Sequence, residues 1–338
     1  MNILLTTINT CTYDILLFKE ALGDTGKVFA SNSKMTSSML KADGYVLSPR
    51  YTDSSYIDFL ITYCKKNDIY AIISSVEIDL VILAKNKDRF LQNGITVVVS
   101  NESTIRLCND KWKCHQFLLS ICIKQPKTYI DINLLKQDLD LGIISFPLIF
   151  KPRWADGSYG IFQVDAFDEL NIIYDKVFNL VFNYISEYEY ENIQEKDYCV
   201  LMQEKLTGQE YGLDVLNDLQ GNYITTIPKT KTEMREGETV VSRVESNTLF
   251  ENTGKIISQN LKHVGNIGVD CFLADTGDII VIEINPRFAA HYPFAHLAGA
   301  NFPKQIIEWL SGNPTSEKNI KYNAGVTGYK DISQIFRF

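Results

Sequence analysis

No stretch of the 338-residue chain is long and apolar enough to cross a bilayer: uncharged apolar-rich segments such as Leu141 to Phe150 are short of the ~20 residues a spanning helix needs. Runs of basic residues are also missing. The 33 Lys and Arg are outnumbered by 41 Asp and Glu, and a net charge of −8 argues against a nucleic-acid or anionic-membrane partner, since both need clustered cations. The seven cysteines contain no C-x-x-C pair, so reduced thiols in a cytoplasmic protein are expected rather than a disulfide framework or a paired-cysteine zinc site. Among the four histidines there is no His-x-x-x-His pair and no nucleophile–base motif, which disfavours a zinc hydrolase. The apolar N-terminus has no preceding positive region and is interrupted by Asp14, so no signal peptide is expected. What remains is a globular composition, 45% hydrophobic and 22% charged, at a length of two to three domains.

Residues 1–100 alternate strand and helix patterns. Strands are expected at Asn2–Thr7, Lys27–Ala30, Tyr70–Ser74 and Thr96–Ser100, with helices over Tyr13–Leu22 and Ser54–Asn67 between them, which implies a parallel sheet covered on both faces. A dinucleotide-binding domain is not the reading, because the segment after the first strand, Thr7-Ile-Asn-Thr-Cys-Thr, has no glycine to let a pyrophosphate approach the backbone. From Asn101 the pattern changes to short helices (Ser103–Cys108, and Asp110–Ser120 capped by Asn109 or Asp110) and then to strand pairs. Strands are expected at Phe146–Lys151, Ile161–Val164, Tyr198–Glu204 and Gln209–Leu216. A helix is expected over Asp168–Ser186 and a closing helix over Pro303–Ser311. The segment Lys229–Ser246 reads as polar and loop-like, and the tail after Gly312 as an edge strand or extension.

The most informative segment runs from Val269 to Asn285. Two β-branched, apolar stretches flank Asp275-Thr-Gly-Asp278, a hairpin turn with glycine where a positive φ is wanted. A turn centred on Thr276-Gly277 puts Asp270 directly opposite Glu283, and strand alternation adds Asn285 to the same face. Like charges placed ~4.5–5.5 Å apart at Cβ are destabilising unless something neutralises them. Asp, Glu and Asn together offer hard oxygen ligands suited to Mg²⁺ or Mn²⁺. Arg287, two residues on, would complete a clamp on a transferring phosphoryl group.

Cations elsewhere fit the same chemistry. Lys111 lies in the first turn of its helix, with Lys113 close behind, where a cation is mildly disfavoured; an anionic ligand would explain the choice, and so would plain solvation. Lys151 ends an apolar strand just before Gly157-Ser158-Tyr-Gly160, a loop whose backbone N–H groups could serve phosphates although it lacks Walker spacing. Glu204 and Lys205 follow another apolar strand, and Glu210 shares a face of the next with Gly212 and Asp214. Glu77 and Asp79 fit substrate contacts and helix caps equally well, while His291 and His296, which follow Arg287, read first as ordinary helix or loop residues and second as substrate contacts.

Taken together these residues resemble the ATP-grasp superfamily of carboxylate–amine ligases, in particular the branch similar to the carbamoyl phosphate synthetase large chain. The similarity covers about Asn101 to Gly312 and is most specific at Asp270…Glu283-Ile-Asn285-Pro-Arg287. It implies an α/β chain in which a Rossmann-like pre-ATP-grasp domain (1–100) is followed by an α+β grasp fold of two subdomains (101–190 and 191–338). It implies that Lys111 and Lys151 hold ATP phosphates, that Gly157, Ser158 and Gly160 belong to the loop closing over them, and that Glu204, Lys205 and Leu206 meet the adenine. Glu210 would take the ribose hydroxyls, Asp270, Glu283 and Asn285 the Mg²⁺, and Arg287, with Asn285, would serve catalysis. Lys229, Lys231 and Arg235 stand where relatives place basic residues near phosphates or substrate. Ala155 departs from the family's glycine loop.

The activity so implied is ATP-dependent joining of a small carboxylate to an amine through an acyl-phosphate. Carboxyphosphate-type chemistry and a non-catalytic ATP-binding sensor or scaffold are the alternatives. No nucleic-acid or membrane partner is expected, and a homodimer is the default assembly.

Overall fold

The computed structural model describes residues 1–9, 12–155, 157–188, 197–235 and 237–331. The chain forms three sheets in succession. The first consists of β1 (Asn2–Thr6), β2 (Val28–Asn32), β3 (Gly44–Leu47), β4 (Ile69–Ser74) and β5 (Thr96–Val97), all parallel, in the order β3-β2-β1-β4-β5. Alternation along β1 explains why the sheet is covered on both sides. Ile3 and Leu5 pack on the helix Tyr13–Leu22 and on the closing helix Phe302–Leu310, while Leu4 packs on the helix Tyr56–Lys66. The expected strand Thr96–Ser100 is shorter than anticipated. Past Val98, whose N–H donates to Ile72 O, the chain turns away, and the Ser100 hydroxyl instead accepts the N–H of Val264. Strand β3 was not foreseen; it is a short edge strand with an alternating half-exposed pattern.

The second sheet is antiparallel: β6 (Thr128–Tyr129), β7 (Leu148–Pro152), β8 (Phe162–Val164) and β9 (Val200–Glu204), in the order β6-β9-β7-β8. The helix Leu170–Tyr188 packs on it through Leu170, Val177 and Val181. Because β9 pairs with β7, this sheet extends to Glu204, and a division at 190/191 falls inside it.

The third sheet comprises β10 (Gln209–Asn217), β11 (Tyr223–Arg235), β12 (Glu238–Val244), β13 (Gly265–Leu273), β14 (Ile279–Asn285) and β15 (Thr327–Tyr329), in the order β14-β13-β10-β11-β12-β15. The expected loop over Lys229–Ser246 is instead the long hairpin β11–β12, which turns at Gly237; Thr232–Arg235 and Glu238 near the tip are exposed, whereas Lys229, Thr239 and Ser242 are buried polar strand residues. The tail contributes β15, an edge strand, as expected.

One face of this sheet is apolar. Leu213, Val215, Val269, Cys271, Val281 and Ile284 belong to one apolar cluster, in which β10 lies against the helix Glu251–Leu261 and β14 against the helices Glu102–Asn109 and Lys111–Ser120. By alternation the opposite face of β10 and β13 carries Glu210, Gly212, Asp214 and Asp270.

The helix Lys111–Ser120 is fixed at its start. Asp110, not Asn109, caps it by accepting the N–H groups of Trp112 and Lys113, and it also receives Arg153 Nε and Nη2, each at 2.7 Å. Both side chains are buried, and Arg153 is 1% exposed. Arg153→Met is therefore expected to strand a buried carboxylate and lower stability by about 3–5 kcal/mol, read as a downward shift of the first thermal transition by calorimetry. An unchanged first transition would show that the pair does not anchor this helix.

Candidate active site

The two acids meet by a route the sequence did not reveal. In the β13–β14 turn, Ala274 N donates to Asp278 O and Gly277 N, at φ +83°, donates to Ala274 O. The loop therefore holds three residues, Asp275 to Gly277, rather than the expected two. From that turn Leu273 faces Ile279, Phe272 faces Ile280 and Cys271 faces Val281. Continued, this register would set Asp270 against Ile282 and turn Glu283 to the opposite face. A β-bulge between Asp270 and Cys271 absorbs one residue, so that Asp270 pairs with Glu283 and Gly268 with Asn285. Ile282 and Glu283 then both line the same cavity. Ile282 is only half-buried, because it borders that space.

The cavity, about 730 Å³, lies between the three sheets. At one end Lys151, Asp270, Glu283, Asn285 and Arg287 reach it. Burial pushes Asp270 up from the ordinary carboxylate range; Lys231 opposes this at 2.8 Å and Glu283 adds to it. Burial acts the same way on Glu283, but Lys111, Lys151 and Lys231 outweigh it and hold that carboxyl below its usual value. Lys111 Nζ lies 3.8 Å from Glu283 Oε2 and donates to the Ala155 carbonyl. Lys151, 5% exposed, is pulled down to about 8 by burial, with Glu283 pulling the other way. Asn285 points Nδ2 at Asp270 Oδ2, 3.5 Å away; half a turn of the amide would present its oxygen instead.

The loop after β7 passes through left-handed backbone at Gly157, Ser158 and Gly160. Gly157 and Ser158 line the cavity, whereas Gly160 turns the chain against Pro152. The tip of the β11–β12 hairpin rests on this loop. A Cβ on Gly237 would come within 2.6 Å of Ser158 Oγ, so glycine there allows the close approach. At the far end stand Glu204, Lys205 and Leu206, then Glu210. Glu204 accepts Lys127 N at 2.8 Å, Lys205 Nζ donates to Gln163, and Glu210 accepts Lys231 Nζ at 2.7 Å. Asp270 and Glu210 together hold the Lys231 ammonium above its ordinary value, against the effect of burial.

Two of the basic residues considered for phosphate or substrate are not in the site. Lys229 is wholly buried and paired with Asp214, one strand inward, and Arg235 is exposed beside Glu233. Asp79 is buried and accepts Thr6 Oγ1 and Tyr56 Oη, a structural role. Glu77 does reach the cavity, where it receives Arg287 Nε at 2.6 Å and so ties the first sheet's domain to β14. His296 is an ordinary contact to Glu20. His291 is not ordinary: it lines the cavity, 3% exposed, and neither ring nitrogen makes a hydrogen bond. Its nearest carboxylate oxygens are 3.7 Å away, on Asp214 and Asp270. A Cβ at Gly212 would fall 2.5 Å from the imidazole, so the glycine in that central strand is the room the ring occupies. Its sequence signals are its place four residues after Arg287 and a strand glycine, Gly212, in an otherwise charged row.

The donor set fits a divalent cation. Asp270, Glu283 and Asn285 are hard oxygen donors in a wall of mutually repelling acids, and the described residues contain no group of three or more His, Cys, Asp or Glu that could form a denser metal cluster.

Residues 3–98 match the PylC-like N-terminal domain family, and residues 108–291 match the ATP-grasp domain family. The second match spans more than half of the chain, and this protein belongs to the ATP-grasp family. ATP-grasp enzymes use ATP and Mg²⁺. Among curated relatives, the carbamoyl phosphate synthase large chain of Thermoplasma volcanium is 23% identical over 283 residues, covering 77% of this chain and 26% of its own. The present chain thus spans about a quarter of that relative's length. Among solved structures, the biotin carboxylase–βγ-ATP complex of Campylobacter jejuni superposes with a TM-score of 0.73 at 15% identity, covering 95% of this chain and 73% of its own. The biotin carboxylase domain of the Hydrogenobacter thermophilus 2-oxoglutarate carboxylase, in complex with MgADP, ADP and bicarbonate, gives 0.70 at 16%, covering 95% and 72%. These likenesses establish the fold. Among the described residues no helix is long and apolar enough to cross a membrane.

The raised Asp270 carboxyl makes a stability prediction with a definite sign. A carboxyl whose folded-state pKa is raised favours the fold while protonated; that contribution is present below the unfolded value of about 3.9 and is lost as pH rises through the raised value. Asp270→Asn is therefore expected to melt above the wild type at pH 7, with the gap closing towards pH 4. Added Mg²⁺ should raise the wild-type melting temperature and leave the variant's nearly unmoved. Scanning calorimetry at both pH values, with and without Mg²⁺, checks this; equal responses to Mg²⁺ would remove Asp270 from the cation site.

Proposed function

We propose that this protein is an ATP-dependent ligase that activates a small carboxylate as an acyl-phosphate and joins it to an amine, releasing ADP and phosphate. One observation carries the reading: on a single cavity wall Asp270 is paired with Glu283 while Lys111 and Lys151 converge on Glu283 and Arg287 enters from the same strand end. Such a wall suits phosphoryl transfer, in which the protein does little covalent work and acts by positioning and charge stabilisation.

Lys111 and Lys151 bind phosphate oxygens, and the backbone N–H groups around Gly157 and Ser158 close over them. The strand end Glu204–Leu206 receives the adenine, and Glu210, freed from Lys231, receives the ribose hydroxyls. A divalent cation held by Asp270, Glu283 and Asn285 supplies, when bound, charge neutralisation at the phosphates. In the first step a carboxylate oxygen bonds to the γ-phosphorus as the bond to the β–γ bridging oxygen breaks. In the second, the amine nitrogen bonds to the acyl carbon, phosphate leaves, and the nitrogen loses a proton. Arg287 faces the charge that develops in both steps. Bicarbonate in place of an organic acid gives the carboxyphosphate variant, a second reading favoured by the bicarbonate named in the Hydrogenobacter structure.

Phosphate release with ATP, Mg²⁺ and pooled amino or hydroxy acids is expected to exceed background, and bicarbonate alone tests the variant. ATP binding without any stimulated release would favour a sensor or scaffold. Glu283→Gln should lower turnover by about 10²–10³-fold or more with an unchanged circular dichroism spectrum; full activity at ordinary Mg²⁺ would contradict the assignment.

A further test uses the pH dependence of Lys151. A lysine lowered to about 8 is charged below that pH, and a bound phosphate raises its pKa, so nucleotide binding takes up a proton above pH 8. Affinity for ATP, measured by calorimetry, should weaken as pH rises past about 8, and Lys151→Met should remove that dependence along with most of the affinity.

A further inference from the structure

A second cavity of about 460 Å³ adjoins the first and shares Thr7, Asn9, Glu77, Glu283 and Asn285 with it. It opens at the carboxyl ends of four parallel strands, β1 to β4, where open α/β sheets bind their ligands. Five charged side chains line it. Glu77 pairs with Arg287, and Lys111 faces Glu283, but Lys34 and Arg50 have no carboxylate partner among the described residues. In a chain of net charge −8, two unpaired cations on one polar cavity are a feature to explain.

The surroundings are ordered rather than loose. Asn32, 9% exposed, donates Nδ2 to Ile8 O at 2.8 Å and accepts Lys34 N at 3.3 Å, which holds the turn that presents Lys34. Arg50 comes from the loop after the neighbouring strand, β3. On the side nearer Glu283, Asn109 donates to Glu77 O at 3.2 Å, while its buried Oδ1 accepts nothing and awaits a donor.

We propose that this cavity seats one of the two small substrates, and that this substrate is an anion. Lys34 and Arg50 hold a carboxylate or phosphate group remote from its reacting atom, and Asn109 Oδ1 receives an N–H or O–H of the same molecule. The reacting end then lies where the two cavities merge, beside Glu283 and Asn285. The assignment rests on the ligase reading for its chemistry, and it narrows the seated substrate to a molecule that carries, besides its reacting group, an anionic group and a hydrogen-bond donor.

Thermal-shift and calorimetric titrations of the full chain with MgATP present test it. The probes are glutamate and aspartate against glutamine and asparagine, and phosphoserine against serine, with succinate and inorganic phosphate as minimal anions. Lys34 and Arg50 are exposed, so Lys34→Ala/Arg50→Ala is expected to fold. At least one anionic probe should bind the wild type and bind this variant about tenfold or more weakly, since two charge-assisted hydrogen bonds are lost. The neutral counterpart should not distinguish the two proteins. Comparison of the carboxylate and phosphate arms identifies the anion. Asn109→Asp, which adds repulsion, should weaken the same probe. If no anionic probe separates wild type from the double variant, the anion pocket is overturned. Carboxylate-stimulated phosphate release that is equal in both proteins would at the same time leave the ligase reading standing.

Discussion

Two carboxylates held against each other on a buried wall are the constraint around which the rest is arranged. Asp270 and Glu283 face one another across β13 and β14, only partly exposed on the wall of the cavity, where water screens them less than at the surface. Left alone, they would repel and one would neutralise. Three lysines from three different elements oppose this and hold Glu283 below its usual value while Asp270 stays raised: Lys111 from a helix start, Lys151 from β7 and Lys231 from β11. These lysines are themselves costly to bury, and Lys151 keeps its charge only weakly. The wall is thus a balance of opposed charges poised to exchange partners with an anionic, cation-bearing ligand.

That balance explains features remote from the acids. The Asp110–Arg153 pair fixes the helix start from which Lys111 reaches Glu283. Glu77 holds Arg287, so the parallel sheet and the antiparallel one meet at the residue placed to steady developing charge. The apolar underside of β10, β13 and β14 is covered by the helices Glu102–Asn109, Lys111–Ser120 and Glu251–Leu261, leaving the polar face free to be shaped by function. Gly212 and Gly237 mark two places where close approach displaced a side chain, one for His291 and one for the loop after β7.

Much of the fold was legible because its periodicities are strong. The βα alternation of the first hundred residues, the missing glycine after β1, and the hairpin around Gly277 could all be read directly. The pairing of Asp270 with Glu283 was anticipated through a two-residue turn, yet it arises from a three-residue turn and a compensating bulge. Neither departure leaves a signal in residue identity, since a bulge depends on how a strand is pulled by its neighbours. The β11–β12 hairpin reads as a loop in the sequence because its polar residues occupy exposed and buried strand positions alike, Lys229 and Ser242 among the buried ones, which hides the strand periodicity. Lys229 and Lys231, two residues apart on one face, looked equivalent; one lies under the site and the other in it.

The sequence by itself determined the order of the elements, the apolar faces they must bury and the inventory of acids and bases, because these follow from local periodicity and side-chain chemistry. Tertiary structure alone decided which of those charges share a cavity. It aimed Glu283 through the bulge, buried Lys229, exposed Arg235, brought Glu77 to Arg287 and set His291 against Gly212. The physical reason is that charge interactions fall off over a few ångströms, and distances on that scale are set by packing between segments far apart in the chain.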